Sequence, residues 1–163
     1  MSNEKAPLSQ TGRSVRLEEI MRPIETVTPD TSEREVLKVL LKNKMPGVPV
    51  VDEEGLLVGF VSSAHLLASA MPEYLEVMED VSFASEAGDE WVDYFAGSAD
   101  KPVGEVMATE PSHVELGASG VVAAHKMVHD GVSSVIVTDK GKVVGIVDRL
   151  DLFAAIIGLE PGQ

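Results

Sequence analysis

The chain has 163 residues, 44% of them hydrophobic, enough for one packed core or two half-size units sharing one, and disorder throughout is excluded. A formal charge of −14 without Lys/Arg clusters excludes nucleic acid as a partner, because neutralising phosphates needs such clusters. No cysteine means no disulfide, thiol nucleophile or Cys-ligated zinc, and no apolar run approaches the ~18 to 20 residues of a membrane span.

In chain order, residues 1–16 are polar, carry no apolar signal core and read as a flexible tail; a cytoplasmic protein with no membrane partner is expected. A first unit spans 17–67. It opens with LEEIM and a short β-leaning piece at Thr26–Val27–Thr28. A helix follows, with Asp30, Thr31 and Ser32 as candidate N-caps and Val36, Leu37, Leu40 and Leu41 at helical spacing. Two β-branched runs, Val48–Val51 and Val58–Val61, are joined by the turn-like DEEG, and a short helix starts at Ser62 or Ser63. Residues 68–102 differ in kind. Between 68 and 100 there are nine acids and no base, together with five of the seven aromatics. Trp91, Tyr94 and Phe95 share one helical face, which reads as packing onto their own repeat or across a dimer.

From 103 to 158 the order of signals repeats, leaving 159–163 as a C-terminal tail. VGEVM leads to His113–Val114–Glu115, then to a helix with Ala123, Ala124, Met127 and Val128 on one face and Gly131 at its end. Val135–Val137, the turn DKG, Val143–Val147 and a last helix from Asp148 or Arg149 complete it. With one gap at Glu54, VPVVDEEGLLVGFVSSAHLL (48–67) aligns with VIVTDKGKVVGIVDRLDLF (135–153), and eight of nineteen positions are identical. A β-α-β-β-α unit of roughly 50 residues is marginal alone, so the two copies should pack on each other.

This duplicated unit resembles the CBS (cystathionine-β-synthase) domain, and the tandem resembles a CBS pair, or Bateman module. The resemblance rests on Ile20–Met21 and Val106–Met107, TVTPDTS, GVPVVDEEGLLVGFVS and VIVTDKGKVVGIVDRLDL. It implies an α/β (α+β) fold of two repeats packed through their sheets about a pseudo-two-fold axis, with an acidic helical insert between them. It implies two clefts that commonly hold AMP, ADP or ATP, association into a homodimer, and control of a partner protein in trans. No cofactor is required on this reading; the adenine nucleotide, with or without Mg²⁺, is a ligand.

The family's ligand signature, G-h-h-[T/S]-x-x-D, sets a hydroxyl and a carboxylate on one side of a first helical turn, where ribose hydroxyls and a phosphate can be met. Here it is split. The first copy, Gly59 to Ser62 to His65, keeps the hydroxyl; the second, Gly145 to Asp148 to Asp151, keeps the carboxylate. Asp151 is the expected ribose ligand, against the alternative of a helix-start residue favoured by the dipole, and Arg149 its expected phosphate partner. Asp148 and Ser62 read more readily as caps. His65 is either a phosphate or ribose contact or a helix histidine. Thr26 and its counterpart His113 are candidate lining residues. Val48–Pro49 and Ser134–Val135 would lie against the base, offering mainly backbone. His125 and His129, spaced i, i+4, could grip a metal, but they align with Lys38 and Lys42 and read as a solvated face, so no metal site is expected. There is no nucleophile–base arrangement, and catalysis is not expected. The alternative function is an interaction module with decayed nucleotide sites that works through the insert.

Overall fold

The computed structural model describes residues 14–86 and 90–159, the side chains of Glu90 and Trp91 excepted. Seven α-helices and five strands are described: α1 Leu17–Ile20, α2 Glu33–Asn43, β1 Gly47–Val51, β2 Leu57–Ser62, α3 Ser63–Ala70, α4 Glu73–Glu76, α5 Glu90–Ala96, β3 His113–Glu115, α6 Gly120–Asp130, β4 Ser134–Asp139, β5 Lys142–Asp148 and α7 Arg149–Ile157. No helix among the described residues is long and apolar enough to cross a membrane.

Local chemistry explains most boundaries. Of the three candidate caps for α2, Ser32 takes the role: its Oγ accepts the Glu35 amide at 3.3 Å. Gly131 closes α6 in the left-handed region, where a glycine meets no Cβ penalty. The β1 and β2 strands pair antiparallel across DEEG, where Asp52 Oδ1 accepts the amides of Glu54 and Leu56 at 3.0 and 2.9 Å. In the second repeat Lys140 and Gly141 both have positive φ, the conformation a two-residue hairpin turn demands.

Only the second repeat forms a three-stranded sheet, in the order β3-β4-β5. In the first, the expected strand at 26–28 shrinks to one bridging residue, Val27, held between Pro49 O and the Val51 amide at 3.1 and 2.8 Å. Pro29 is the reason. It has no N–H with which to continue the ladder, and the Thr28 amide turns to Thr31 Oγ1 at 3.1 Å. His113–Val114–Glu115 is followed by Leu116, whose amide continues the ladder to Thr138 O at 2.7 Å.

The two cores exchange their lead-in segments. Leu17, at the start of the chain's first unit, is fully buried with Val114, Ala123, Met127, Val135, Val137, Val147 and Leu152 of the second. Val103, at the start of the second, is fully buried with Val36, Leu40, Val48, Val50, Val61 and Leu66 of the first. Backbone bonds seal the exchange with approximate two-fold symmetry. Arg22 and Ile146 trade N–H···O=C bonds of 2.9 Å, and so do Ala108 and Phe60. The signature glycines permit this approach. A Cβ on Gly145 would lie 2.9 Å from Arg22 O, and one on Gly59 would lie 3.0 Å from Ala108 O.

Two expected helix faces are only half covered. Val36 and Leu40 of α2 are buried, whereas Leu37 and Leu41 face outward; Ala123 and Met127 of α6 are buried, whereas Val128 is exposed. Leu66 and Leu152 are likewise buried beside exposed Leu67 and Phe153. The insert forms short helical turns. Its C-terminal end supplies the free amides at the start of α2 with acceptors, Glu33 N–H donating to Lys101 O and Arg34 N–H to Ala99 O. Tyr74, Phe83 and Tyr94 are more than half exposed and Phe95 is half-buried, so of the two expected packings the one onto its own repeat is incomplete for Tyr94; the side chain of Trp91 lies outside the described residues.

Candidate functional site

A cleft of about 1010 Å³ opens between the repeats. The first repeat contributes Phe60 and Ser62 from β2 and His65 from α3; the second contributes the Ala108–His113 segment, Ser134, Ile136 and Thr138 from β4, and Lys126 and Asp130 from α6. Strand alternation explains this set. Ser134, Ile136 and Thr138 share one face of β4, while Val135 and Val137 point into the core. Val48 is likewise a core residue, and Pro49, fully buried, lies on the opposite face of β1.

Ser62 and His65 are locked together. Ser62 Oγ accepts the His65 amide at 3.2 Å, and His65 Nδ1 accepts the Ser62 amide at 3.1 Å, a capping box with histidine in the glutamate role. An Nδ1 that accepts a hydrogen bond carries no proton, so in this arrangement the ring proton is on Nε2, which is free to donate. His113 is exposed at the cleft wall, and its Nδ1 lies 3.0 Å from Pro111 O, where it must be the donor.

Asp130 anchors the far rim. It accepts hydrogen bonds from His129 Nδ1 at 2.9 Å, from the Ser112 hydroxyl and from Lys126 Nζ at 3.1 Å. These bonds, that from His129 foremost, hold its carboxyl well below the usual carboxylate range. The first repeat has the same latch with donor and acceptor reversed, Asn43 donating to Glu25. The His125 and His129 rings are stacked 5.9 Å apart on the exposed face of α6, and no group of three or more metal-capable side chains occurs among the described residues.

At the symmetry-related position the chemistry differs. Asp148 caps α7, its Oδ1 accepting the Leu150 amide at 2.8 Å. Asp151, 23% exposed, is in an ion pair with Arg22, a residue the sequence reading did not single out. Arg149 lies elsewhere, exposed in a smaller groove between α6 and α7 with Ala124, Met127, Val128 and Phe153. So the structure joins Asp151 to Arg22 rather than to Arg149. Thr26 is exposed just before Val27. The one signal for Arg22 in the sequence is its repeat alignment with Ala108, five residues after each lead-in leucine or valine.

Paired repeats with exchanged lead-ins and a cleft at their junction define a tandem-repeat module. The CBS domain model matches residues 17–71 and 103–158, and the chain belongs to the CBS domain family. Among its relatives, the uncharacterized protein MJ1426 of Methanocaldococcus jannaschii is 25% identical, the match covering 92% of this chain and 96% of the relative. The chloroplastic CBS domain-containing protein CBSX1 of Arabidopsis thaliana is 28% identical over 98% of this chain and 70% of its own length. A crystal structure of Arabidopsis CBSX2 in complex with AMP superposes with a TM-score of 0.64 at 26% identity, covering 88% of this chain and 96% of that one.

Proposed function

We propose that the chain is a non-catalytic regulatory module that binds an adenosine-containing ligand, AMP, ADP or ATP, between its repeats and signals to a partner protein. The observation that carries this is the 1010 Å³ cleft, which lies at the upper end of the range for small-molecule sites. It presents to an anion the free Nε2–H of His65 and the ammonium of Lys126, which Asp130 holds at 3.1 Å, and to a base the polar edge of β4 at Ser134. The AMP held by CBSX2 supports the adenine nucleotide as its class of ligand. Binding would act by favouring one packing of the repeats over another, which requires different affinities for the two states. The outward-facing Leu37, Leu41, Leu67, Val128 and Phe153 offer apolar surface on which a second copy would dock, in keeping with a homodimer.

The test is a thermal-shift panel of AMP, ADP and ATP, each with and without Mg²⁺, on wild type, His65→Ala and Asp151→Ala. A ligand at 100 times its Kd stabilises by ~2.7 kcal/mol. A shift reduced in either variant supports the reading and assigns the cleft; no shift in wild type overturns it. A second reading is favoured by the exposed Tyr74, Val77, Val81 and Phe83 among the insert's acids: an interaction module working through 68–102. It predicts no nucleotide effect, and a partner lost when 72–98 is deleted.

A further inference from the structure

The two halves of the repeat pair differ at two symmetry-related positions. Where the open cleft has Ala108 on Phe60 and His65 on α3, the other half has Arg22 on Ile146 and Asp151 on α7. Arg22 does not drift into this place. Its backbone is pinned to Ile146 by two 2.9 Å bonds, through a close approach that only Gly145 permits, and its guanidinium then reaches Asp151. The carboxylate expected to take the ribose diol therefore already has a partner. Nearby Asp148 turns a carboxylate oxygen to the Leu150 amide and adds negative charge where a phosphate would come. Arg149, in the α6–α7 groove, does not face it.

Resting on the nucleotide reading above, we infer that Arg22 is the specificity-determining residue at the Asp151 end of the second repeat, a latch that opens for a nucleotide but not for a nucleoside. A ribose diol that takes Asp151 leaves the guanidinium of Arg22 without its anion. A neutral nucleoside offers nothing in exchange. A nucleoside phosphate supplies both halves: hydroxyls for Asp151 and a phosphate for Arg22, in the fork geometry guanidinium prefers, and this offsets the repulsion from Asp148. The open cleft has no such exchange to make, because Ala108 carries no charge and His65 is not a carboxylate.

The experiment is calorimetric titration of AMP and adenosine into wild type, Arg22→Gln and Asp151→Asn, with hydrogen exchange of the 145–151 and 59–65 amides to place each binding event. In Arg22→Gln the adenosine affinity at 145–151 is expected to rise about fivefold, the factor that an exposed ion pair is worth at most. AMP affinity there should fall roughly tenfold, for loss of one charge-assisted contact. Asp151→Asn should lower both. Opposite signs for adenosine in the two variants are the mark of a latch; a pair that only supports the fold would weaken binding in both. An AMP-to-adenosine preference unchanged by Arg22→Gln, or protection confined to 59–65 in every variant, overturns the inference while leaving nucleotide binding intact. If neither ligand binds any variant, the nucleotide reading itself is overturned, and this inference with it.

Discussion

Leu17 belongs by sequence to the first repeat and by packing to the second, and truncating it tests the exchange. Leu17→Ala removes a side chain with no solvent exposure, seated among Val135, Val147 and Leu152. Buried leucine truncations cost about 2–5 kcal/mol, depending on how far the site can collapse. Because α1 has only four residues and can shift toward the void, a value near ~3 kcal/mol is expected. For a chain of this size each kcal/mol lowers Tm by about 2–4 °C, so calorimetry should show a drop of roughly 6–12 °C. The location of the damage is the sharper readout. Amide exchange should rise first in β4, β5 and α6, more than 100 residues downstream of the substitution, while β1 and β2 keep their protection. Val103→Ala should do the reverse. A Tm change below about 2 °C, or losses confined to the first repeat, would refute the exchanged core.

Three smaller perturbations follow from the same geometry. Gly145→Ala places a Cβ 2.9 Å from Arg22 O, a backbone atom that cannot swing aside, and should cost about 1–3 kcal/mol by urea titration. Ser62→Ala removes the hydroxyl half of the capping box and should cost ~1 kcal/mol, whereas Ser62→Asp, which copies Asp148, should recover most of it in the same titration. Asp130→Asn tests the rim latch. The depressed carboxyl of Asp130 stabilises the fold above the ordinary value of 3.8, and that contribution is lost as pH falls below it toward the folded-state value. The stability gap between wild type and Asp130→Asn, followed by thermal melts from pH 7 to pH 3, should therefore narrow only below about pH 4. A gap that stays constant to pH 3 would mean the carboxylate is not what stabilises the rim.

Much of the molecule was legible in the sequence because it is decided locally. The duplication, the strands flanking DEEG and DKG, the Ser32 cap and the Gly131 stop depend on turn and cap chemistry within a few residues, and each lies where the sequence places it. Even the shortened first strand was written in Pro29, though its weight shows only beside Glu115 and Leu116. The cap roles of Ser62 and Asp148 were legible for the same reason. What only the tertiary structure decided concerns partners far apart in the chain. Helical spacing marked Val36, Leu37, Leu40 and Leu41 as one apolar face, but which half meets a sheet depends on how the helix is set, and Leu37 and Leu41 were left outside. Arg149 stands next but one to Asp151, yet a helix turns about 100° per residue and carries it into another groove. Arg22 reaches Asp151 across 129 positions because the repeats trade lead-ins. A repeat states its own fold; which copy completes it is set by the packing of the pair.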